Sequence, residues 1–394
     1  MSLLNDATAL QDALIKHRRF FHENAEVGLD MPVGSAYVKE RLSEMGYEPS
    51  DCGPNGVTAV AGGKRDGKTI LLRADMDALP IFEESELDFK SATGNMHACG
   101  HDFHAAMLLG AAQLLKDREH EIRGRVKLMF QPGEEIMEGA LSMIEAGIME
   151  NPAVDAALMI HVITGTMIPT GMVIISTSPL ASSDWFEIKV KGKGCHGAMS
   201  DMGVDPLNIL NHIYLSLQTL NSREVGPVTP LSLTIGQMSG GTTGNIIPDS
   251  ASMIGTLRTF SEDVRDFAKK RIAEISQGVA LTLRGEAEVT FFRGCPTLNH
   301  DEQLTAQLLG FARSLLGEKL IYSTKSEPLL GMGSEDFAFI TGKVPGMLIA
   351  ISAGSSAEGH MFPMHHPKAS FDEKALPVGA AVYANSALSW LEEN

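Results

Sequence analysis

VDAALMIHVITGTMIPTGMVII, residues 154–175, is the most apolar long stretch of the chain. A membrane-spanning helix needs about 20 apolar residues without interruption. This stretch is broken by His161, Gly165, Pro169 and Gly171. Residues 156–160 read instead as a short buried strand that runs into His161. The same texture surrounds it. Residues 56–61, 69–74 and 126–130 read as apolar strands, and 6–22, 32–45, 102–116 and 139–146 as helices. Leu10, Leu14, Ile15 and Phe21 share one side of the first helix, and Gly46 ends the second. Uninterrupted apolar strands set between helices predict an α/β fold: a mostly parallel central sheet with helices on both faces.

Near Ser182 the texture changes. Residues 185–190 alternate apolar and polar, the mark of a half-exposed strand. A helix at 206–220, strands at 231–237 and 250–259, a helix at 262–281 and a strand at 288–292 follow. This β-α-β-β-α-β order predicts a four-stranded antiparallel sheet with two helices on one face. After Pro296 the first texture returns, with a helix at 303–316, a strand at 346–351 and a long helix at 373–391. The expected organisation is a discontinuous domain, residues 1–181 and 296–394, interrupted by an inserted domain at 182–295.

A length of 394 residues suits two domains, and 44% hydrophobic residues supply their cores. Asp and Glu total 49 against 32 Lys and Arg, a formal charge of -17. That balance argues against nucleic acid and against anionic membranes as partners. It is compatible with a small anionic substrate, because one local arginine outweighs a distant acidic surface. The N-terminal residues show no basic segment followed by an apolar one, and Cys52, Cys99, Cys195 and Cys295 form no CxxC pair. The expectation is a cytoplasmic protein with reduced thiols. The 21 methionines read as core filler.

Residues with chemistry gather where strands are predicted to end. In HACGHD, residues 97–102, Cys99 and His101 stand two apart, and in extended chain they would face one metal. The plain alternative is a polar loop capped by Asp102. In FQPGEE, residues 130–135, Glu134 and Glu135 diverge, so one carboxylate can bind metal while the other reaches water. Alternatively they are two solvated glutamates opening a helix. His161 closes a strand, a place where a lone histidine is more often structural than a ligand. HHP, residues 365–367, offers His365, with His360 close enough to compete. In RADMDALP, residues 73–80, Asp75 and Asp77 could orient a ligand histidine or form a network with Arg73. One thiolate, up to three imidazoles and a carboxylate suit a pair of borderline cations.

Taken together, RADMDALP, HACGHD, QPGEE, GNIIPD, GSEDFA and HHP resemble the metallopeptidase family of hippurate hydrolases, auxin-conjugate hydrolases and N-acyl-amino-acid aminoacylases. The resemblance runs from about residue 14 to 388. It implies a hydrolase with two divalent cations per subunit, from among zinc, manganese, cobalt and nickel. It also implies Cys99 as a bridging thiolate, with His101, Glu135, His161 and His365 as the other ligands and Glu134 as the general base. The inserted domain would be a lid that makes a homodimer. His196 would act there on the transition state in the partner's active site, and Asn245 and Arg258 would hold the substrate. Three departures stand out. Asp201 replaces an expected histidine, Cys195 an expected small residue, and the segment after His161 lacks the usual Trp-Pro.

The expected reaction is hydrolysis of an N-acyl amino acid to a carboxylate and a free amino acid. Competing readings are a dipeptidase, carboxypeptidase or biosynthetic deacetylase, a metal-free amidase with Cys99 as nucleophile and His101 as base, and a non-catalytic binder.

Overall fold

The computed structural model describes residues 2–317 and 331–394 and the backbone of 321–324. The chain divides into two compact units.

The first unit comprises Met1–Ser178, Asn299–Leu329 and Asp336–Asn394. Its sheet is built from β1 (Ser50–Asp51), β2 (Val57–Gly62), β3 (Thr69–Asp75), β4 (Arg125–Gln131), β5 (Ala156–Ile163), β6 (Val173–Ser176), β13 (Ile321–Thr324) and β14 (Gly346–Ser352). The spatial order is β1-β2-β4-β3-β5-β14-β6-β13. β4, β3, β5 and β14 run parallel side by side, so their carboxyl ends share one edge of the sheet. Every residue of β3, β5 and β14 is buried. Coverage on both faces explains why these strands read as continuous apolar runs.

The covering helices are α1 (Leu3–Ala9), α2 (Gln11–Glu23), α3 (Pro32–Glu44), α4 (His101–Asp117), α5 (Gly139–Glu145), α8 (Glu302–Leu316), α9 (Ala338–Thr341) and α10 (Leu376–Glu393). Two sequence expectations need correction. The periodic stretch at 6–22 is two helices: Ser2 caps Asn5 N–H and starts α1 early, and the chain kinks at Leu10 before α2. The final helix opens with a 3-10 turn, Glu373–Ala375, capped by Asp372, and α10 proper starts at Leu376 with Pro377 in its first turn.

Arg73 pins the carboxyl edge of this sheet. It is fully buried and donates to Asp336 Oδ1 at 2.8 Å, Asp75 Oδ2 at 2.8 Å and Gln131 Oε1 at 2.9 Å. Asp336 in turn accepts from Gln131 Nε2 at 2.8 Å and from the Ala140 N–H at 2.9 Å. The ends of β3 and β4 and the start of α5 are thereby tied together. Removing one partner of such a buried pair typically costs about 3–5 kcal/mol, because the other charge is left uncompensated.

The second unit comprises Pro179–Leu298 and Leu330–Glu335. β7 (Ser182–Lys191), β9 (Leu231–Gly240), β11 (Ser250–Thr259) and β12 (Glu286–Cys295) form an antiparallel sheet in the order β12-β7-β11-β9. α6 (Pro206–Thr219) and α7 (Glu262–Thr282) cover its apolar face. Phe186, Ile188 and Val190 of β7 pack there with Ile213, Leu217 and Ile272, while Trp185 and Lys189 point outward. Asp205 caps α6 and Ser261 caps α7. A small ribbon pairs β8 (Cys195–His196) with β10 (Ile246–Ile247). No helix among the described residues is long and apolar enough to cross a membrane.

Candidate metal centre

Cys99 and His101 are not carried on extended chain, as spacing alone suggested. Gly100 adopts φ 84°, and His101 is the first residue of α4. A Cβ at Gly100 would fall 2.4 Å from Val162 Cγ2, so strain and crowding both demand glycine. The first turn of α4 is anchored from behind. Asp102 Oδ2 accepts from Arg18 Nε at 2.7 Å and lies 2.9 Å from His22 Nδ1, and His22 Nε2 lies 3.2 Å from Glu83. Asp102 is therefore an internal anchor and not the helix cap.

Hydrogen bonds fix which nitrogen each imidazole presents. A carbonyl oxygen only accepts, so His101 Nδ1–H donates to Asp77 O at 2.8 Å. His161 Nδ1–H likewise donates to Val162 O at 2.7 Å. Both rings then turn Nε2 toward the cluster. His104 Nε2 accepts the Val162 N–H at 2.8 Å, which places its own proton on Nδ1, 2.5 Å from Asp75 Oδ1. His104 thus supports β5 beside His161. His97 is buried, and its Nδ1 has no hydrogen-bond partner.

His365 is the histidine of its loop that reaches the cluster. Its Nε2 lies 3.2 Å from Cys99 Sγ and 3.5 Å from Glu135 Oε1. It sits at φ 65°, unusual for a residue with a Cβ, held by donation from its N–H to Ala98 O at 2.9 Å. His360 bonds instead to Ser370. Cys99 Sγ is also 3.6 Å from His161 Nε2. Two groups of potential ligands therefore share Cys99: Cys99–His101–His161 and Cys99–Glu135–His365, each with its ligand atoms within 4.8 Å of one another. His101, Glu134 and Glu135 form a third such group.

The residues fit a pair of divalent cations. His101 Nε2 is buried without a hydrogen-bond partner, and sulfur, imidazole and carboxylate ligands converge on the space it faces. The charges point the same way. Burial, with Glu135 adding to it, pushes the Cys99 thiol up to about 12. Burial and the neighbouring His104 hold His161 neutral, well below the ordinary histidine value. Burial opposes a proton on His101, yet Asp75, Cys99 and Asp77 outweigh it and raise that pKa well above the usual value. The cluster favours positive charge where Nε2 points.

The second unit holds the other residues singled out in the sequence. His196 and Asn245 are exposed neighbours on the ribbon of β8 and β10, where the Gly197 N–H donates to Asn245 O at 2.8 Å. His196 Nδ1 accepts the Ala198 N–H at 3.0 Å, which leaves Nε2 facing away from that turn. Arg258, on β11, donates from Nη1 to Ser334 Oγ at 2.8 Å and Met332 O at 3.2 Å. Of the departing positions, Asp201 is exposed on the turn Gly197–Met202, and Cys195 packs against Gly203.

Residues 71–389 match the model of Peptidase family M20/M25/M40. The chain belongs to this family. It is similar to Thermostable carboxypeptidase 2 of Saccharolobus solfataricus, 37% identical over 98% of each chain. It is similar to N-acetylcysteine deacetylase of Bacillus subtilis, 35% identical over 98% of each chain. Among solved structures it is similar to a Bacillus subtilis dinuclear metal binding peptidase from the M20 family, with 33% identity and a TM-score of 0.81 over 98% of this chain and 99% of that one. The M20 chain is a metal-dependent hydrolase of amide bonds.

Sequence reasoning missed one residue that shapes this M20 site and left the tasks of two others undivided. Asp336 carries no signal beyond its place in GSEDFA, yet it holds Arg73. Asp75 and Asp77 looked interchangeable, but the Asp75 carboxylate serves Arg73 and His104 whereas that of Asp77 receives the backbone of the tandem glutamates.

Proposed function

We propose that the protein hydrolyses N-acyl amino acids to a carboxylate and a free amino acid. The observation that carries this reading is Glu134, 5% exposed, standing beside His101 and Glu135 in a cluster whose ligand groups share Cys99. Cys99, His101, Glu135, His161 and His365 would hold two cations, drawn from zinc, manganese, cobalt and nickel. Bound there, the cations polarise the scissile carbonyl and bring the pKa of water near neutrality. Glu134 takes the proton of the attacking water and passes it to the leaving nitrogen. His196 and Asn245 donate to the developing oxyanion. Arg258, steadied by Met332 and Ser334, presents its planar fork to the substrate carboxylate.

The names of the similar proteins support the substrate class. N-acetylcysteine deacetylase denotes cleavage of an N-acyl amino acid, and a carboxypeptidase frees an amino acid from a peptide end. The second name keeps a dipeptidase or carboxypeptidase reading in play. A panel of N-acetyl, N-benzoyl and longer N-acyl amino acids, set beside dipeptides, decides between them. The expected result is turnover of the N-acyl series above that of the dipeptides. Arg258→Ala should raise KM about tenfold or more for substrates with a free carboxylate, the loss of one charge-assisted fork. It should leave the corresponding methyl esters nearly unaffected, and equal losses on acid and ester would remove the carboxylate role.

Residues 182–295 form the lid and dimerisation domain in this reading, with His196 serving the partner's site. Sedimentation should show a homodimer. A fully active monomer would end the role of His196 across the dimer.

A further inference from the structure

We propose that His22 is a positioning residue of the centre: as an imidazolium it bridges Asp102 and Glu83 and so latches the loop of residues 80–95 to the helix turn that carries His101. This inference rests on the ligand roles given above to His101 and His365.

Residues 80–95 run between the segment of Asp77 and that of Cys99. They form an Ω-loop whose neck is closed by two bonds, from Leu79 N–H to Met96 O at 3.0 Å and from Met96 N–H to Leu79 O at 2.9 Å. The loop also meets the segment of another ligand: the Glu84 N–H donates to Pro367 O at 2.8 Å, two residues beyond His365. Within the loop stands Glu83, a buried carboxylate. Its Oε2 accepts the Ser91 N–H at 2.9 Å and its Oε1 accepts from Ser85 Oγ, so one side chain draws both limbs of the loop together. Its partner from outside the loop is His22 Nε2, near the end of α2, at 3.2 Å.

His22 stands between two acceptors, with Nδ1 2.9 Å from Asp102 Oδ2 and Nε2 3.2 Å from Glu83 Oε1. An ionised carboxylate only accepts, so an imidazole that bonds two of them donates from both nitrogens and carries a positive charge. Both acids are ionised. Against burial, Arg18 and His22 hold Asp102 well below the ordinary carboxylate range, and His22, Ser85 and Ser91 pull Glu83 down to about 2. Burial and Arg18 oppose the second proton on His22, but its bonds to Asp102 and Glu83 outweigh them and raise its pKa above the ordinary histidine value. His97, whose ring lies 6.3 Å away, is neutral, because burial lowers its pKa to about 3. The two acids depend on His22 unequally. Asp102 also has Arg18, whereas among the described residues His22 is the one cation within ion-pair reach of Glu83. Loss of charge on His22 therefore leaves α4 anchored and frees the loop. The latch is complete below the ordinary histidine pKa of about 6.5 and is lost as pH rises through the raised value in the folded protein.

Metal-free protein labelled with 15N-histidine reports the charge by NMR. Both ring nitrogens of His22 should be protonated at about pH 7, the signals being assigned by their loss in His22→Gln. Hydrogen exchange in metal-free wild type, His22→Gln and Glu83→Gln then tests the latch. Each substitution should lower the protection of residues 80–95 about 10–100-fold, the worth of a hydrogen bond to a charged group, while α4 and α10 keep theirs. In wild type the protection of the loop should fall on the alkaline side. Each variant, titrated with Co2+ against a chelator, should hold it about three- to tenfold more weakly, with kcat lowered in step and KM within about threefold of wild type. A His22 with a single protonated ring nitrogen at neutral pH overturns the proposal. So does a loop that keeps wild-type protection in both variants, or a loss of protection shared equally by α4 and α10. If His22→Gln does not fold, the wild-type spectrum and Glu83→Gln decide. If wild type binds no Co2+, the ligand roles of His101 and His365 fall, and the latch stands on the protection of its loop.

Discussion

Glu134→Gln lowers kcat about 10³–10⁴-fold, roughly 4–5 kcal/mol of transition-state stabilisation, while metal content and fold stay as they were. Glutamine has the shape of glutamate but cannot carry a proton from water to a leaving amine. The side chain is almost wholly buried, and its backbone is held on Asp77, so the substitution leaves the turn in place. Metal analysis should return the wild-type stoichiometry, because Glu135 and not Glu134 is assigned as the ligand. KM should change little. Glu135→Gln makes the contrast: it should lose metal first and activity as a consequence. A binding protein that kept only the fold would show unchanged ligand affinity for Glu134→Gln and no turnover to lose. A variant retaining more than a tenth of wild-type kcat would falsify the base assignment.

The parts of this structure that sequence exposes are those where one physical demand acts on a whole segment. β3, β5 and β14 are buried on both faces, and their apolar runs declare it. β7 is buried on one face only, and its alternation declares that. Four-residue β6 was hidden inside an apolar run, and the break at Leu10 lacks any glycine or proline to mark it. At the centre, Cys99, His101, Glu134, Glu135, His161 and His365 were visible by chemical type at strand ends. Their partners were not. Whether His360 or His365 enters the cluster depends on a backbone held at φ 65° by Ala98, more than 260 residues away in sequence. The division of labour between Asp75 and Asp77 is likewise set by Arg73, His104 and the turn at Gly133. The anchoring of α4 by Arg18 and His22 spans some 80 residues. Long-range contacts of this kind leave no local pattern to read.

Exhaustive chelation should take turnover to background, and refilling with zinc, manganese, cobalt or nickel should restore it to levels that differ by metal. Chelation should also loosen the fold. A ligand that binds only the native state adds RT ln(1 + [L]/Kd), about 2.7 kcal/mol at a hundredfold excess over Kd. For a chain of this size that corresponds to a fall in melting temperature of about 3 °C when the metal is withdrawn. The cause lies in the cluster itself. A thiol, two carboxylates and three imidazoles crowd together there, with His101 Nε2 left unpartnered. The rival chemistry makes the opposite prediction. A thiol amidase using Cys99 as nucleophile would keep its activity in chelator and lose it to alkylation. The surroundings of Cys99 disfavour that role: the attacking species would be the thiolate, and burial, with Glu135 adding to it, pushes the thiol up to about 12 when no cation is bound to it. Full activity in protein shown by metal analysis to be stripped of cations would end the metal reading and leave Cys99 as the nucleophile to be tested next.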